Sequence, residues 1–142
     1  MKTAFLPLAL AFTLTLASAL APVAGAAGTV TVHFELKVVS HHLPAYKSCD
    51  VTVADGANGG DVLDAAASSG CISSWQHDSF GNSRFVTCID GVCQQTGTFW
   101  AFYVNDALPC GGSCGIDDVH LHGGETVSFA YADWFTPFPP FP

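Results

Sequence analysis

Over residues 29–39 the chain alternates, with Val30, Val32, Phe34, Leu36 and Val38 apolar and Thr29, Thr31, His33, Glu35 and Lys37 polar. A period of two puts every apolar side chain on one face, which predicts a half-buried β-strand. His33 then shares the polar face with Glu35 and Lys37 and reads as a solvent-exposed histidine. His41-His42-Leu43-Pro44 interrupts the alternation as a loop. Val51 and Val53 mark a second strand ending at Asp55-Gly56, and Asn58 to Gly60 is again rich in turn residues. Val62, Leu63, Ala65 and Ala66 then recur at helical spacing, with Gly70 suited to a C-terminal cap. So short a helix holds only by packing on a sheet.

Residues 72–83 read as a largely polar stretch that carries Trp75 and His77 and turns at Gly81-Asn82. Phe85 to Ile89 is the next strand, and Asp90-Gly91 is a strong hairpin signal. In a two-residue turn, Ile89 and Val92 form the hydrogen-bonded pair. Cys88 then faces Cys93 at a non-hydrogen-bonded position, where Cα atoms lie about 4.5 Å apart. That spacing is at the short end of the disulfide range. Phe99 to Val104 is apolar on both faces and predicts a central strand, stopped by Asn105-Asp106. Val119 and Leu121 mark a short strand, Gly123-Gly124 a turn, and Val127, Phe129 and Tyr131 the inward face of a last strand. The order predicts an α+β fold: one short helix on a mixed sheet whose later strands are antiparallel.

The first residues change the picture of where this domain works. Lys2 precedes an apolar stretch from Phe5 to Leu20, and Ala24-Gly25-Ala26 fits a signal-peptidase site, with Ala17-Ser18-Ala19 as a second. The stretch approaches membrane-spanning length, but no stop-transfer charges follow it, which favours removal over anchoring. The division expected is a signal peptide over residues 1–26, one domain over 27–134, and a mobile, extended Pro/Phe tail over 135–142. All six cysteines follow the cut, and an even number in a short exported chain reads as a disulfide framework. Cys88–Cys93 is the pairing the hairpin dictates. Cys110–Cys114 would close a glycine loop and Cys49–Cys71 would tie the second strand to the end of the helix, with other connectivities open. After the cut Lys37, Lys47 and Arg84 face twelve acidic residues. Such a chain repels nucleic acid and anionic membranes, so a secreted, extracellular monomer is expected.

Four stretches, taken in order, resemble a known pattern. They are Asp55-Gly56 leading into Val62-Leu63-Asp64-Ala65-Ala66; Ile89-Asp90-Gly91-Val92; Phe99 through Asn105; and Gly115-Ile116 through Gly123-Gly124 to Tyr131. Together they look like the transcobalamin C-terminal-like domain, a β-grasp domain of the soluble-ligand-binding type. The resemblance implies a β-grasp-like sheet and a ligand facing the strand that holds Trp100 and Tyr103, with Phe102 and Asn105 beside them. Vitamin B12 carriers pair this domain with a helical one not present in this sequence. The ligand it implies is therefore a small flat molecule, cobalamin or another.

Alternation places Trp100 and Phe102 on one side of that strand and Phe99 and Tyr103 on the other. Either one set forms an aromatic platform for the ligand, or both are buried, one under the helix and one under loops. His120 and His122 are two apart on an expected strand, so they project together and could chelate a transition metal. Cys110 and Cys114 lie nearby, but their spacing is not that of a zinc finger and an oxidising compartment favours the disulfide. The chain has no G-x-S-x-G elbow, no H-E-x-x-H and no phosphate-cradling glycine motif. Asp117-Asp118 would point to opposite strand faces. The expectation is a non-enzymatic binding module, and its rival is an extracellular protein-interaction or effector-like scaffold with no small ligand.

Overall fold

The computed structural model describes residues 28–38 and 46–133. The expected signal peptide, the His41–Pro44 loop and the tail over 135–142 lie outside the described residues. Strands β1 (Thr29–Val38) and β2 (Tyr46–Ala54) are followed by helix α1 (Gly59–Ser68), strands β3 (Trp75–Phe80), β4 (Ser83–Ile89), β5 (Val92–Cys93) and β6 (Thr98–Val104), a 3-10 turn at Pro109–Gly112, and strand β7 (Thr126–Asp133). The fold is α+β, with strands dominating one helix. Where one sheet was expected there are two: a four-stranded sheet in the order β2-β1-β7-β6 and a three-stranded sheet in the order β3-β4-β5. The first is mixed, because β1 runs parallel to β7 and antiparallel to β2.

The alternation in β1 does what its period dictates. Val32, Phe34 and Leu36 enter the core with Val51 and Val53 of β2 and Val127, Phe129 and Tyr131 of β7. Helix α1 covers this face with Val62, Leu63 and Ala66. Its start is fixed by a capping box: Asn58 Oδ1 accepts from Asp61 N at 3.1 Å, and Asp61 Oδ2 accepts from Asn58 N at 2.9 Å. The turn residues at 58–60 therefore open the helix. At its other end Gly70 takes φ 77°, a left-handed conformation that suits glycine and halts the helix.

Three disulfides staple these parts, in the pairings the sequence favours. Cys49–Cys71 ties β2 to the chain leaving α1, Cys88–Cys93 bridges β4 and β5, and Cys110–Cys114 closes the glycine loop. In the β4–β5 hairpin Cys88 pairs with Cys93 and Ile89 with Val92, as expected. Asp90 and Gly91 both take positive φ, 53° and 78°, as a two-residue turn of the primed type requires.

Some strand assignments differ from the sequence reading. β3 was not expected: all of it beyond Trp75 is exposed, so it has no buried face and no alternation to reveal it. The segment around Val119 and Leu121 is not a strand. Leu121 exchanges backbone bonds only with the turn at Gly56 and Ala57, and no ladder extends from it. β6 is not central but lies at one edge of the four-stranded order, paired with β7. Its two apolar faces have different covers. Trp100 and Phe102 face the main core, while Ala101 and Tyr103 pack with Ala130 of β7, Phe99 and Leu108.

Candidate functional site

The resemblance points to the β6 aromatics, and the structure closes both of their faces. Trp100 and Tyr103 are each 4% exposed and Phe102 8%. The Trp100 ring lies 5.2 Å from that of Tyr131, and its Nε1 donates to Val92 O at 3.1 Å, so β5 covers it. Phe102 packs on Phe129 at 5.3 Å and sits against the first turn of α1, where a Cβ on Gly59 would stand 3.0 Å from its ring. Burial pushes the Tyr103 phenol above its ordinary pKa. Asn105 is exposed but occupied: its Oδ1 accepts from Thr126 N at 2.9 Å, and its N donates to Thr126 O at 2.8 Å. The four residues are neighbours in a packed strand end and form no open platform. A platform needs one face left uncovered, and neither is.

The exposed aromatics lie on the β3–β4 hairpin, which the sequence reading left as polar chain. Phe80 is 85% and Phe85 43% exposed, and these are the exposed large apolar side chains among the described residues. Ser83 pairs with Phe80 and Asp78 with Phe85, so Phe80 and Phe85 are diagonal neighbours on one face. Diagonal positions lie within reach of aromatic side chains. The sequence signal was the pair of phenylalanines flanking Gly81-Asn82, which only the register of an unforeseen strand brings to one side.

The opposite side of this hairpin is anchored to α1. The Trp75 ring lies 5.0 Å from that of His77, and its Nε1 donates to Asp64 at 2.8 Å. The Arg84 guanidinium sits 5.5 Å from the Trp75 ring centre, donates to Asn58 Oδ1 at 3.1 Å and grips Asp117. Hydrogen bonding to Arg84 holds the Asp117 carboxyl below the usual carboxylate range against the opposing effect of burial. The same bond raises Arg84 above its ordinary value. Asp118 serves apart from Asp117, accepting from Gly115 N at 2.7 Å. The two adjacent carboxylates thus do separate structural jobs.

Among the described residues, each histidine is engaged, His77 with the Trp75 ring. His33, expected to be solvent-exposed, is only part-exposed, and its Nδ1 lies 2.7 Å from Asp50 Oδ1 across the β1–β2 pair. His120 and His122 are exposed, and both reach back to one turn: His120 Nδ1 lies 3.0 Å from Gly56 O, and His122 Nδ1 lies 3.0 Å from Asp55 Oδ1. Among the described residues no group of three or more His, Cys, Asp or Glu side chains converges on a metal position. No described helix is long and apolar enough to cross a membrane.

Comparison with known proteins places this geometry. The structure resembles that of haptocorrin in complex with Cbi, with a TM-score of 0.66 and 17% identity, over 78% of this chain and 26% of haptocorrin. The chain thus spans about a quarter of that protein. It also resembles a protein from Ruminococcus gnavus ATCC 29149 that carries a provisional metal-binding name, with a TM-score of 0.58 and 11% identity, over 75% of this chain and 99% of that one. At these identities the likeness is one of fold. No curated protein matches the chain. A family model does: the one described as a domain of unknown function, DUF4430, matches residues 60–133, which is more than half of the chain. This protein belongs to the DUF4430 family.

Proposed function

We propose that this chain is a secreted, non-enzymatic binding module that takes a small flat ligand of the cobalamin kind on the outer face of the β3–β4 hairpin. One observation carries the reading: Phe80 and Phe85 stand exposed at diagonal positions on one face of a hairpin whose other face is fixed to α1. Aromatic rings left in water on a braced strand pair form a stacking surface, because covering them removes apolar area from water at little conformational cost. The likeness to haptocorrin, solved with Cbi, supports a ligand-binding use of the fold. The metal-binding name of the Ruminococcus gnavus protein supports the same broad class with an ion as ligand. The reading of the N-terminus as a signal peptide and the pairing of every cysteine support secretion. The absence of a nucleophile elbow or metalloprotease motif from the sequence supports binding without chemistry.

A second reading uses the same surface differently. β3 lies at the edge of its sheet and is exposed along most of its length, so it offers backbone groups as well as Phe80 to an extracellular protein strand. One titration separates the two. Cobalamin and a panel of flat aromatic ligands are added to the protein while tryptophan fluorescence and melting temperature are followed. A saturable response that the Phe80→Ala/Phe85→Ala variant loses supports the small-ligand reading. Silence across the panel overturns it in favour of a protein partner.

A further inference from the structure

We propose that His120 and His122 form a two-imidazole site for a divalent late first-row transition ion, with copper(II) bound most tightly. This site is independent of the hairpin face and does not rest on the flat-ligand reading.

The backbone sets the direction of the two rings. Leu121 between them is fully buried, and it is pinned by Leu121 N donating to Ala57 O and Gly56 N donating to Leu121 O, each at 2.8 Å. Leu121 is buried between them, and the histidines on either side of it are both exposed. The chain just beyond is held as well. Glu125 accepts from His122 N at 2.8 Å and from Gly123 N at 2.6 Å, and Gly124 N donates to Thr31 O at 2.9 Å. The two rings therefore stand on a fixed backbone.

The acceptors on Nδ1 decide the tautomers. A backbone carbonyl can only accept, so the 3.0 Å contact of His120 Nδ1 with Gly56 O puts the proton on Nδ1. The Asp55 carboxylate acts in the same way on His122 Nδ1. In each neutral ring the lone pair then lies on Nε2, which is the nitrogen left to bind an ion. Histidines that ligate metals characteristically donate their other ring N–H to a carboxylate or a backbone carbonyl, which fixes the ring and raises its basicity. Here one histidine has each kind of partner. Imidazole nitrogens suit copper, nickel and zinc, and the affinity order for such sites peaks at copper(II). No third side chain joins them among the described residues, so water fills the other positions and the site is an open surface one. The negative charge of Asp55 and the net charge of −8 favour a cation there.

The test titrates aqueous copper(II) into the full chain by calorimetry, with electron paramagnetic resonance to count the coordinating nitrogens. One ion per chain held by two imidazole nitrogens is expected. The His120→Ala/His122→Ala variant should lose that ion, and Asp55→Asn should weaken it by about tenfold or more, as the loss of an outer-shell partner does. Three results would overturn the proposal: a spectrum with fewer than two imidazoles, retention of the ion by the double variant, or its loss in a His41→Ala/His42→Ala control. The spectrum of the unaltered protein keeps the test decisive should a variant misfold.

Discussion

Arg84 grips Asp117 across 33 positions of chain: Arg84 Nη2 lies 2.6 Å from Asp117 Oδ1, and the Arg84 backbone N donates to Oδ2 at 2.7 Å. Its Nε adds contacts at 3.0 and 3.1 Å to the two oxygens. One residue thus fastens the β3–β4 hairpin both to the loop before β7 and, through Asn58, to the start of α1. Both side chains are largely shielded from solvent, so removing one leaves the other poorly compensated. Arg84→Ala and Asp117→Asn are each expected to cost about 2 kcal/mol, the scale of hydrogen bonds to charged groups. Arg84→Lys should recover only part of this, because an ammonium cannot reproduce the fork. Urea denaturation reads the result, and an unchanged midpoint for Arg84→Ala would show that the clamp does not hold the hairpin.

The same clamp explains a glycine. In an ordinary helix interior Gly→Ala gains roughly 1 kcal/mol. At Gly60 the added Cβ would overlap Arg84 Nη2 and Cζ. The guanidinium can swing away, but only by leaving Asn58 and Asp117. Gly60→Ala is therefore expected to destabilise the protein by about 1 kcal/mol, the lost charge-assisted bonds outweighing the helix gain. With Arg84 already replaced by alanine, the same change should become stabilising. A double-mutant cycle measures this reversal. Stabilisation by Gly60→Ala in the otherwise unaltered chain would refute it.

Three carboxylates set the response to acid. Burial and hydrogen bonding oppose each other in all three. Hydrogen bonds from Arg84 outweigh burial at Asp117. At Asp90 burial pushes the pKa up, but bonds from Lys47 and Ser73 overcome it, and at Glu125 burial is overcome by the amides of His122, Glu125 and Gly123. All three end below their ordinary values. A carboxylate depressed in the folded state stabilises the fold above its unfolded pKa, and that contribution is lost as pH falls through the folded one. Stability should therefore be flat above the ordinary carboxylate range and fall progressively below about pH 4. Melting temperatures recorded from pH 6 to pH 2 test this. In Asp117→Asn the acid-side fall should be shallower, and an identical slope would remove Asp117 from the account.

What could be read from the sequence follows from what each signal depends on. β1, the helix and the Cys88–Cys93 hairpin were legible because period, cap and turn chemistry are local. Asn58 reads as a turn residue in the sequence, yet its cap on Asp61 N is as local as the others, because Asn is a favoured N-cap ahead of an apolar-periodic run. β3 was hidden because a strand exposed along its length carries no pattern. β6 was placed at the centre because two apolar faces imply two covers, yet an edge strand gains the second cover from Leu108 and its own neighbours. The histidine pair was legible as a spacing, whereas the acceptors that fix its tautomers lie more than sixty positions away.

The two aromatic sets should separate cleanly on substitution. Trp100 and Phe102 are core residues in contact with Tyr131 and Phe129, so replacing either by alanine removes a large buried ring and leaves a cavity. Losses of about 3–5 kcal/mol are the usual scale for such changes. Phe80 stands in water, and Phe80→Ala should move stability by no more than about 0.5 kcal/mol. The same variant should weaken binding if the outer hairpin face is where the ligand rests. Chemical denaturation and ligand titration on this pair of variants therefore give opposite profiles: Trp100→Ala loses stability, and Phe80→Ala loses affinity. The converse, a stable Trp100→Ala protein that no longer binds, would return the ligand to β6 and show that the closed strand opens to receive it.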